Sequence, residues 1–163
     1  MLLKILLAGD GGQGIQTIAD IIVKASFNQD WQVSFIPNYG LEQRGGVSLG
    51  YIQISDKKIA YPKFSFADIM VVLSEQARER IQKYQNSQTQ IGDYKNFDGL
   101  LKEKNLAEKS LNIFALGWLA RRLQEKKILE IEEVGRLLKE KLGLKANWEE
   151  NKKAFEVGVN YVL

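Results

Sequence analysis

The fold is decided by Leu2-Leu3-Lys4-Ile5-Leu6-Leu7-Ala8-Gly9-Asp10-Gly11-Gly12-Gln13-Gly14, an apolar run that ends in four glycines within six residues. Beyond it, apolar residues recur at the spacing of one helical face, at Ile15, Ile18, Ala19, Ile22 and Ala25. The stretch therefore predicts a buried strand, a glycine loop and a helix. Such a loop brings bare backbone N–H groups to the positive end of a helix dipole, where an anion can bind.

The glycine loop matches the dinucleotide fingerprint G-x-G-x-x-G, but the rest of that fingerprint is missing. A nicotinamide-binding fold places an acid at the end of its second strand to hold the ribose. Here the predicted second strand, residues 32–36, runs into Pro37-Asn38-Tyr39-Gly40, and Asp30 precedes it. No Lys-Ser or Lys-Thr follows Gly14, so the loop does not match a P-loop either.

Two interpretations of these glycines remain open. In one, they only allow the strand and the helix to pack tightly. In the other, they form a contact surface for a cofactor or a partner. Four glycines together with a glutamine exceed what packing needs, which favours the second interpretation. The candidate cofactor-binding residues of this loop are Gly9, Gly11, Gly12, Gln13 and Gly14.

A second glycine loop follows the second strand, at Tyr39-Gly40-Leu41-Glu42-Gln43-Arg44-Gly45-Gly46. If both loops lie at the carboxyl edge of a parallel sheet, backbone N–H groups and the Arg44 guanidinium can hold one phosphate or carboxylate between them. The alternative is a surface loop with a solvated arginine. Arg44, Gly45 and Gly46 complete the candidate cofactor-binding site.

Composition restricts the chemistry of the 163 residues. The chain has no cysteine and no histidine, which excludes disulfides, a self-held iron–sulfur cluster and the usual general base. Its 23 basic and 20 acidic side chains interleave, as on solvated faces, and form no stripe typical of nucleic-acid binding. The start lacks a basic n-region, and no apolar run approaches the roughly 20 residues of a membrane span. We expect one cytoplasmic domain, residues 1–163, with no metal site, no catalytic residue of its own, and no membrane or nucleic-acid partner.

The remaining pattern predicts an α/β fold with an open, mostly parallel Rossmann-like sheet, a β-hairpin and a helical C-terminal half. Residues 47–55 alternate as a strand, which we expect to form the hairpin with residues 59–61. Residues 69–73 predict a buried parallel strand, with Asp68 as a structural turn or cap. Residues 85–93 predict a loop. Helical spacing covers residues 75–84, 100–109, 111–126, 131–142 and 148–161, with Gly143 as a C-cap.

Together, the two glycine loops resemble the paired G-x-G-G-Q-G and G-x-E-x-R-G-G motifs of the gamma subunit, or gamma domain, of 2-oxoacid:ferredoxin oxidoreductases. The likeness continues at Ala67-Asp68, Asn112, Leu116-Gly117, Asn151, Ala154-Phe155 and Gly158. The resemblance implies membership of a complex that decarboxylates a 2-oxoacid, such as pyruvate or ketoisovalerate, with thiamine diphosphate. Such a complex passes electrons through iron–sulfur clusters to ferredoxin and transfers the acyl group to coenzyme A.

For this chain, the resemblance implies a subunit that carries neither thiamine diphosphate nor a cluster. It would pack against thiamine-diphosphate-binding alpha and beta subunits, beside a ferredoxin-like delta subunit, and shape the coenzyme A side of the site. The stretch between Ser74 and Leu111 is shorter than the family leads us to expect, so a strand or crossover is expected to be missing. The competing interpretations are a stand-alone nucleotide- or coenzyme A-binding module without catalysis, and a purely structural subunit.

Overall fold

The computed structural model describes residues 1–39 and 46–161. Within these residues, five strands form one open sheet in the order β2-β3-β1-β4-β5. The strands are β1 (Leu2–Asp10), β2 (Gln32–Tyr39), β3 (Val47–Ser55), β4 (Ile69–Val72) and β5 (Gln90–Asp93). The helices are α1 (Ile15–Phe27), α2 (Glu75–Ile81), α3 (Tyr94–Glu103), α4 (Leu111–Glu125), α5 (Ile131–Leu142) and α6 (Trp148–Val159).

The sheet is parallel on one side of β1 and antiparallel on the other. β1 pairs in parallel with β4, and β4 with β5. β3 is antiparallel to both β1 and β2. Helix α1 therefore connects two strands that run in the same direction but are separated by β3. The predicted open α/β sheet is confirmed, although its pairing is mixed where the sequence predicted a mostly parallel sheet.

Two details of the predicted sheet are wrong. The hairpin joins β3 to β2, with Tyr51 opposite Ile36, whereas residues 59–61 form no strand. Because β1 and β2 occupy both edges of β3, no position is left for a third partner. The loop expected at residues 85–93 contains β5, so the expected missing strand is present. Gly92 breaks the apolar pattern of β5 because a Cβ there would lie 2.6 Å from the Trp118 ring.

Strand β1 is apolar on both sides because both faces of the sheet are covered. Leu3, Ile5 and Leu7 face a core formed with α1 and the C-terminal helices. Leu6 and Ala8 face a second core, formed with α2 and the irregular segment 56–68 that crosses the sheet. Asp68, which we expected to be structural, accepts a 2.8 Å hydrogen bond from the backbone N–H of Lys4.

The helical C-terminal half is confirmed. Helix α3, predicted over residues 100–109, begins at Tyr94 and ends at Glu103. It begins earlier because the Asp93 side chain caps it by accepting from the N–H of Lys95. Gly143 lies at the predicted C-cap of α5. No helix among residues 1–39 and 46–161 has the length and apolar character needed to cross a membrane.

Candidate functional site

The glycine loop lies where β1 and its parallel neighbour β4 both end. Gly12 has φ +94° and Gly14 has φ +78°, a left-handed conformation that favours glycine. Gly14 is the N-cap of α1, and no side chain caps this helix. The first turn of a 13-residue helix is therefore left with backbone N–H groups at the positive end of its dipole.

The glycines of this loop differ in what surrounds them. A Cβ at Gly9 would lie 2.8 Å from Oε1 of Gln13, and a Cβ at Gly14 would lie 2.2 Å from Nδ2 of Asn112. Packing therefore accounts for Gly9 and Gly14. Among residues 1–39 and 46–161, no atom lies within 4 Å of where a Cβ at Gly12 would be, and Gly12 is exposed. Packing does not account for Gly12.

The side chain of Gln13 is engaged inside the protein. Its Oε1 accepts a 2.7 Å hydrogen bond from the N–H of Asp10, and its Nε2 donates to the carbonyl of Leu73 at 3.1 Å. These bonds tie the loop to the end of β1 and to the residue that follows β4. Gln13 thus gives the loop its shape, and its direct contact with a cofactor stays a prediction.

Three polar residues that the sequence analysis did not select also lie at this edge. The hydroxyl of Ser74 donates to Oδ1 of Asp10 at 2.7 Å and caps α2 by accepting from the N–H of Ala77. The Asn112 amide lies against the glycine loop. A serine between a strand and a helix is a recognisable cap signal, which identifies Ser74. Asn112 lies almost a hundred residues from the loop, and spacing alone cannot place it there.

The second glycine loop approaches the first. The N–H of Gly11 donates to the carbonyl of Gly46 at 2.9 Å, so the last residue of the second loop contacts the first loop. Arg44 and Gly45 lie outside the described residues. Because β2 runs in the same direction as β1, its carboxyl end is at the same edge of the sheet, as expected.

Beyond β4 and β5, the charged side chains at this edge pair with one another. Asp93, which is buried, forms an ion pair with Arg78 of α2. Glu75 lies 2.7 Å from Nζ of Lys95 and accepts a 2.5 Å hydrogen bond from the Tyr94 hydroxyl. The hydrogen bonds from Lys95 and Tyr94 hold the pKa of Glu75 below its ordinary value, and the bond with Glu75 raises the pKa of Lys95. Both carboxylates are thus neutralised by basic residues of the chain.

The donors at this edge fit an anion better than a metal. Among the described residues, no three acidic side chains cluster in a way that can hold a metal ion. The chain lacks the thiolates that hold iron–sulfur clusters. Backbone N–H groups at a helix N-terminus bind phosphates and carboxylates, and the space beside Gly12 admits such a group. The arrangement can bind and orient an anionic substrate.

Comparisons with known proteins identify the family of the chain. Residues 4–96, more than half of the chain, match the family model described as pyruvate ferredoxin/flavodoxin oxidoreductase. The 2-oxoglutarate synthase subunit KorC of Methanothermobacter marburgensis is 40% identical over 75 residues. That alignment covers 45% of this chain and 40% of KorC, so it spans less than half of that relative.

Solved structures share the fold. The gamma subunit of a keto/oxoacid ferredoxin oxidoreductase from Geobacter sulfurreducens PCA has a TM-score of 0.70 at 22% identity, over 96% of this chain and 95% of that one. A 2-oxoglutarate:ferredoxin oxidoreductase from Magnetococcus marinus, solved with 2-oxoglutarate, coenzyme A and succinyl-CoA bound, has a TM-score of 0.80 at 20% identity. The match covers 97% of this chain and 30% of that one.

The segment that matches the family model includes both glycine loops, on which the predicted resemblance rests. The chain therefore belongs to the pyruvate ferredoxin/flavodoxin oxidoreductase family.

Proposed function

We propose that this chain is the gamma subunit of a 2-oxoacid:ferredoxin oxidoreductase complex. In this role it supports oxidative decarboxylation of a 2-oxoacid to an acyl-CoA. It packs against the thiamine-diphosphate-binding alpha and beta subunits and shapes the coenzyme A side of the site. Membership of the family and the geometry of the glycine loops support this proposal.

The observation that carries the proposal is the environment of Gly12. Gly12 has a φ of +94°, and within the part of the chain that the structure describes, open space lies where its Cβ would be, beside the N-terminus of α1. The phosphates of coenzyme A are the anionic groups of the reaction that suit such a position. Gly46, which is bonded to Gly11, extends the same surface.

The division of labour follows from composition. Oxidative decarboxylation requires a group that stabilises a carbanion and a carrier for the released electrons. This chain has no thiolate to hold a cluster and no imidazole to act as a base near neutral pH. We therefore assign thiamine diphosphate to the alpha and beta subunits and the iron–sulfur clusters to the partner subunits, including a ferredoxin-like delta subunit. The chain itself binds and positions coenzyme A.

The test is purification of the tagged chain after co-expression with the chains encoded beside its gene. We expect thiamine diphosphate and iron to elute with it in constant proportion, together with coenzyme A-dependent oxidation of a 2-oxoacid. The matched control is the same preparation without this chain. Elution of the chain alone, combined with coenzyme A binding measured by calorimetry, would favour the stand-alone module.

A further inference from the structure

Three partly buried aromatic rings cluster on the face of the sheet that packs against α2 and the irregular segment. Tyr51 of β3, Phe64 of the irregular segment and Tyr84, which follows α2, pack edge to face. The Tyr51 ring centroid lies 5.6 Å from that of Phe64 and 5.7 Å from that of Tyr84. We name these three residues the aromatic face. The glycine loops make no use of it.

Hydrogen bonds hold the aromatic face in place. Gln53, which is 2% exposed, donates from Nε2 to the carbonyl of Tyr61 at 2.9 Å. The N–H of Ala67 donates to the carbonyl of Tyr84 at 2.9 Å, and the Thr89 hydroxyl donates to the carbonyl of Ala67 at 2.7 Å. The irregular segment is thus fastened before and after Phe64. A partner would meet a preorganised surface, which lowers the entropy cost of binding.

Three exposed cations border the aromatic face. Nζ of Lys83 lies 5.3 Å from the centroid of the Tyr84 ring. Arg80 lies in the last turn of α2, four residues before Tyr84, and Lys63 precedes Phe64 in the chain. In the part of the chain that the structure describes, none of the three forms an ion pair.

The acids in the same region do not neutralise these cations. Asp68 uses one carboxylate oxygen to accept from the backbone of Lys4, and Glu79 forms no ion pair with a described residue. The hydroxyl of Tyr84 accepts the 3.0 Å bond from Tyr51, so it retains its own proton for donation. The surface therefore presents aromatic area together with positive charge and a hydroxyl donor.

We propose that the aromatic face, with Lys63, Arg80 and Lys83, docks an acidic surface of another protein subunit. The inference rests on the proposed function, which places the chain in a complex. Tyrosine, phenylalanine and arginine are enriched at protein interfaces, where aromatic rings form the core and charges the rim. Carboxylates on the partner would pair with the three cations and accept from Tyr84.

Other occupants fit less well. In a twofold dimer through this face, each copy would bring the same three cations, and like charges would oppose. A nucleic-acid surface generally needs a longer basic track than three cations around aromatic rings, because affinity comes from many phosphate contacts. Both alternatives would give distinct outcomes in a charge-reversal experiment.

The test is a charge reversal in the co-expressed complex. We expect Lys63→Glu/Arg80→Glu/Lys83→Glu to lower the recovery of the other subunits with the tagged chain at least tenfold. The matched control is Lys126→Glu/Lys139→Glu/Lys152→Glu, which makes the same charge change at the C-cap of α4 and at exposed positions of α5 and α6 and should recover the subunits like the parent. Because all six side chains are exposed, circular dichroism and thermal unfolding should show both variants folded. Tyr84→Phe, which keeps the ring and removes the donor, should weaken recovery less than the triple variant.

Each other outcome contradicts the inference. If the triple variant and its control recover the subunits equally, the aromatic face does not dock them, while the proposed function stands. If the unaltered chain recovers no thiamine or iron, the proposed function fails and the inference with it. A dimer of the isolated chain in sedimentation that the triple variant abolishes would assign the face to self-association. Tighter binding of the parent than of the variant to a duplex DNA probe, with no change in subunit recovery, would assign it to nucleic acid.

Discussion

Gly12 and Gly14 share a positive φ, but only Gly14 is enclosed. Replacement of either by alanine places a Cβ on a left-handed backbone, which costs roughly 1–2 kcal/mol. Gly14→Ala must also displace the Asn112 amide, which adds a packing cost of about 1–3 kcal/mol. We therefore expect Gly14→Ala to lower the free energy of unfolding more than Gly12→Ala. Urea denaturation of both variants checks this order, and equal losses would show that the neighbourhood of Gly14 adapts at no cost.

Arg44 is the second residue-scale prediction. Arg44 lies outside the described residues, but it precedes Gly46 by two positions, and Gly46 contacts the first loop. Losing the arginine of a buried charge-assisted contact with a phosphate costs about 2–5 kcal/mol, whereas losing a solvated arginine costs little. Arg44→Lys keeps the charge but loses the two parallel hydrogen bonds, so it should weaken coenzyme A use, and Arg44→Ala should weaken it more.

The measurement is the coenzyme A dependence of acyl transfer in the assembled complex, together with gel filtration of that complex. Arg136→Lys, at an exposed position of α5, is the control and should match the parent. Parent-like behaviour of both Arg44 variants in both assays would make Arg44 a solvated loop residue.

At the scale of elements, helices α4 and α6 pack in close backbone contact at two glycines, Gly117 and Gly158. A Cβ at Gly117 would lie 2.2 Å from the carbonyl oxygen of Phe155, and one at Gly158 would lie 2.1 Å from that of Phe114. Since backbone atoms cannot rotate away, Gly117→Ala and Gly158→Ala should each destabilise the protein by about 3 kcal/mol or more.

Gly99 is the matched control for this crossing. It is exposed within α3, and a Cβ there would meet no atom of the described residues within 4 Å. Gly99→Ala should raise the free energy of unfolding by about 0.5–1 kcal/mol, because alanine is the better helix former. Thermal and urea unfolding of the three variants measure the expected loss of stability at Gly117 and Gly158 and the expected gain at Gly99. A mild loss at Gly117 and Gly158 would mean that the helices separate easily.

The elements that the sequence predicted well are those whose signal is local. The β1 strand, the glycine loop and α1 follow from continuous apolar periodicity and from glycines at the turn. The predicted hairpin is wrong because the alternating pattern of β3 does not determine which strand it pairs with, and the Tyr51–Ile36 pairing joins residues far apart in sequence. Strand β5 was missed because Gly92 replaces an apolar side chain with space for Trp118.

The same distinction holds for the site. Gly12 could be selected as a candidate because glycines between a strand and a helix indicate a loop with positive φ values. Asn112 reaches the loop only through packing of distant elements, so local spacing could not select it. Ser74 carries a local cap signal, but only the fold places it beside Asp10.

At the scale of the whole molecule, strand order argues against a nicotinamide cofactor. β3 lies between β1 and β2, so the end of β2 is two strand spacings, about 10 Å, from β1. β2 also contains no acidic residue to hold a ribose. We expect the isolated chain to show no NAD binding by calorimetry, and micromolar binding would contradict this.

The most direct test of the central claim is a coenzyme A titration of the assembled complex with either the parent chain or Gly12→Val. Among the described residues, Gly12 borders open space beside the α1 N-terminus, so a branched side chain there should obstruct the ligand. Its positive φ means that the substitution also strains the exposed loop, but the buried core should stay intact. We predict a KM for coenzyme A at least ten times higher, equivalent to about 1.4 kcal/mol, with the complex still intact by gel filtration. An intact complex whose KM for coenzyme A equals that of the parent would contradict the account.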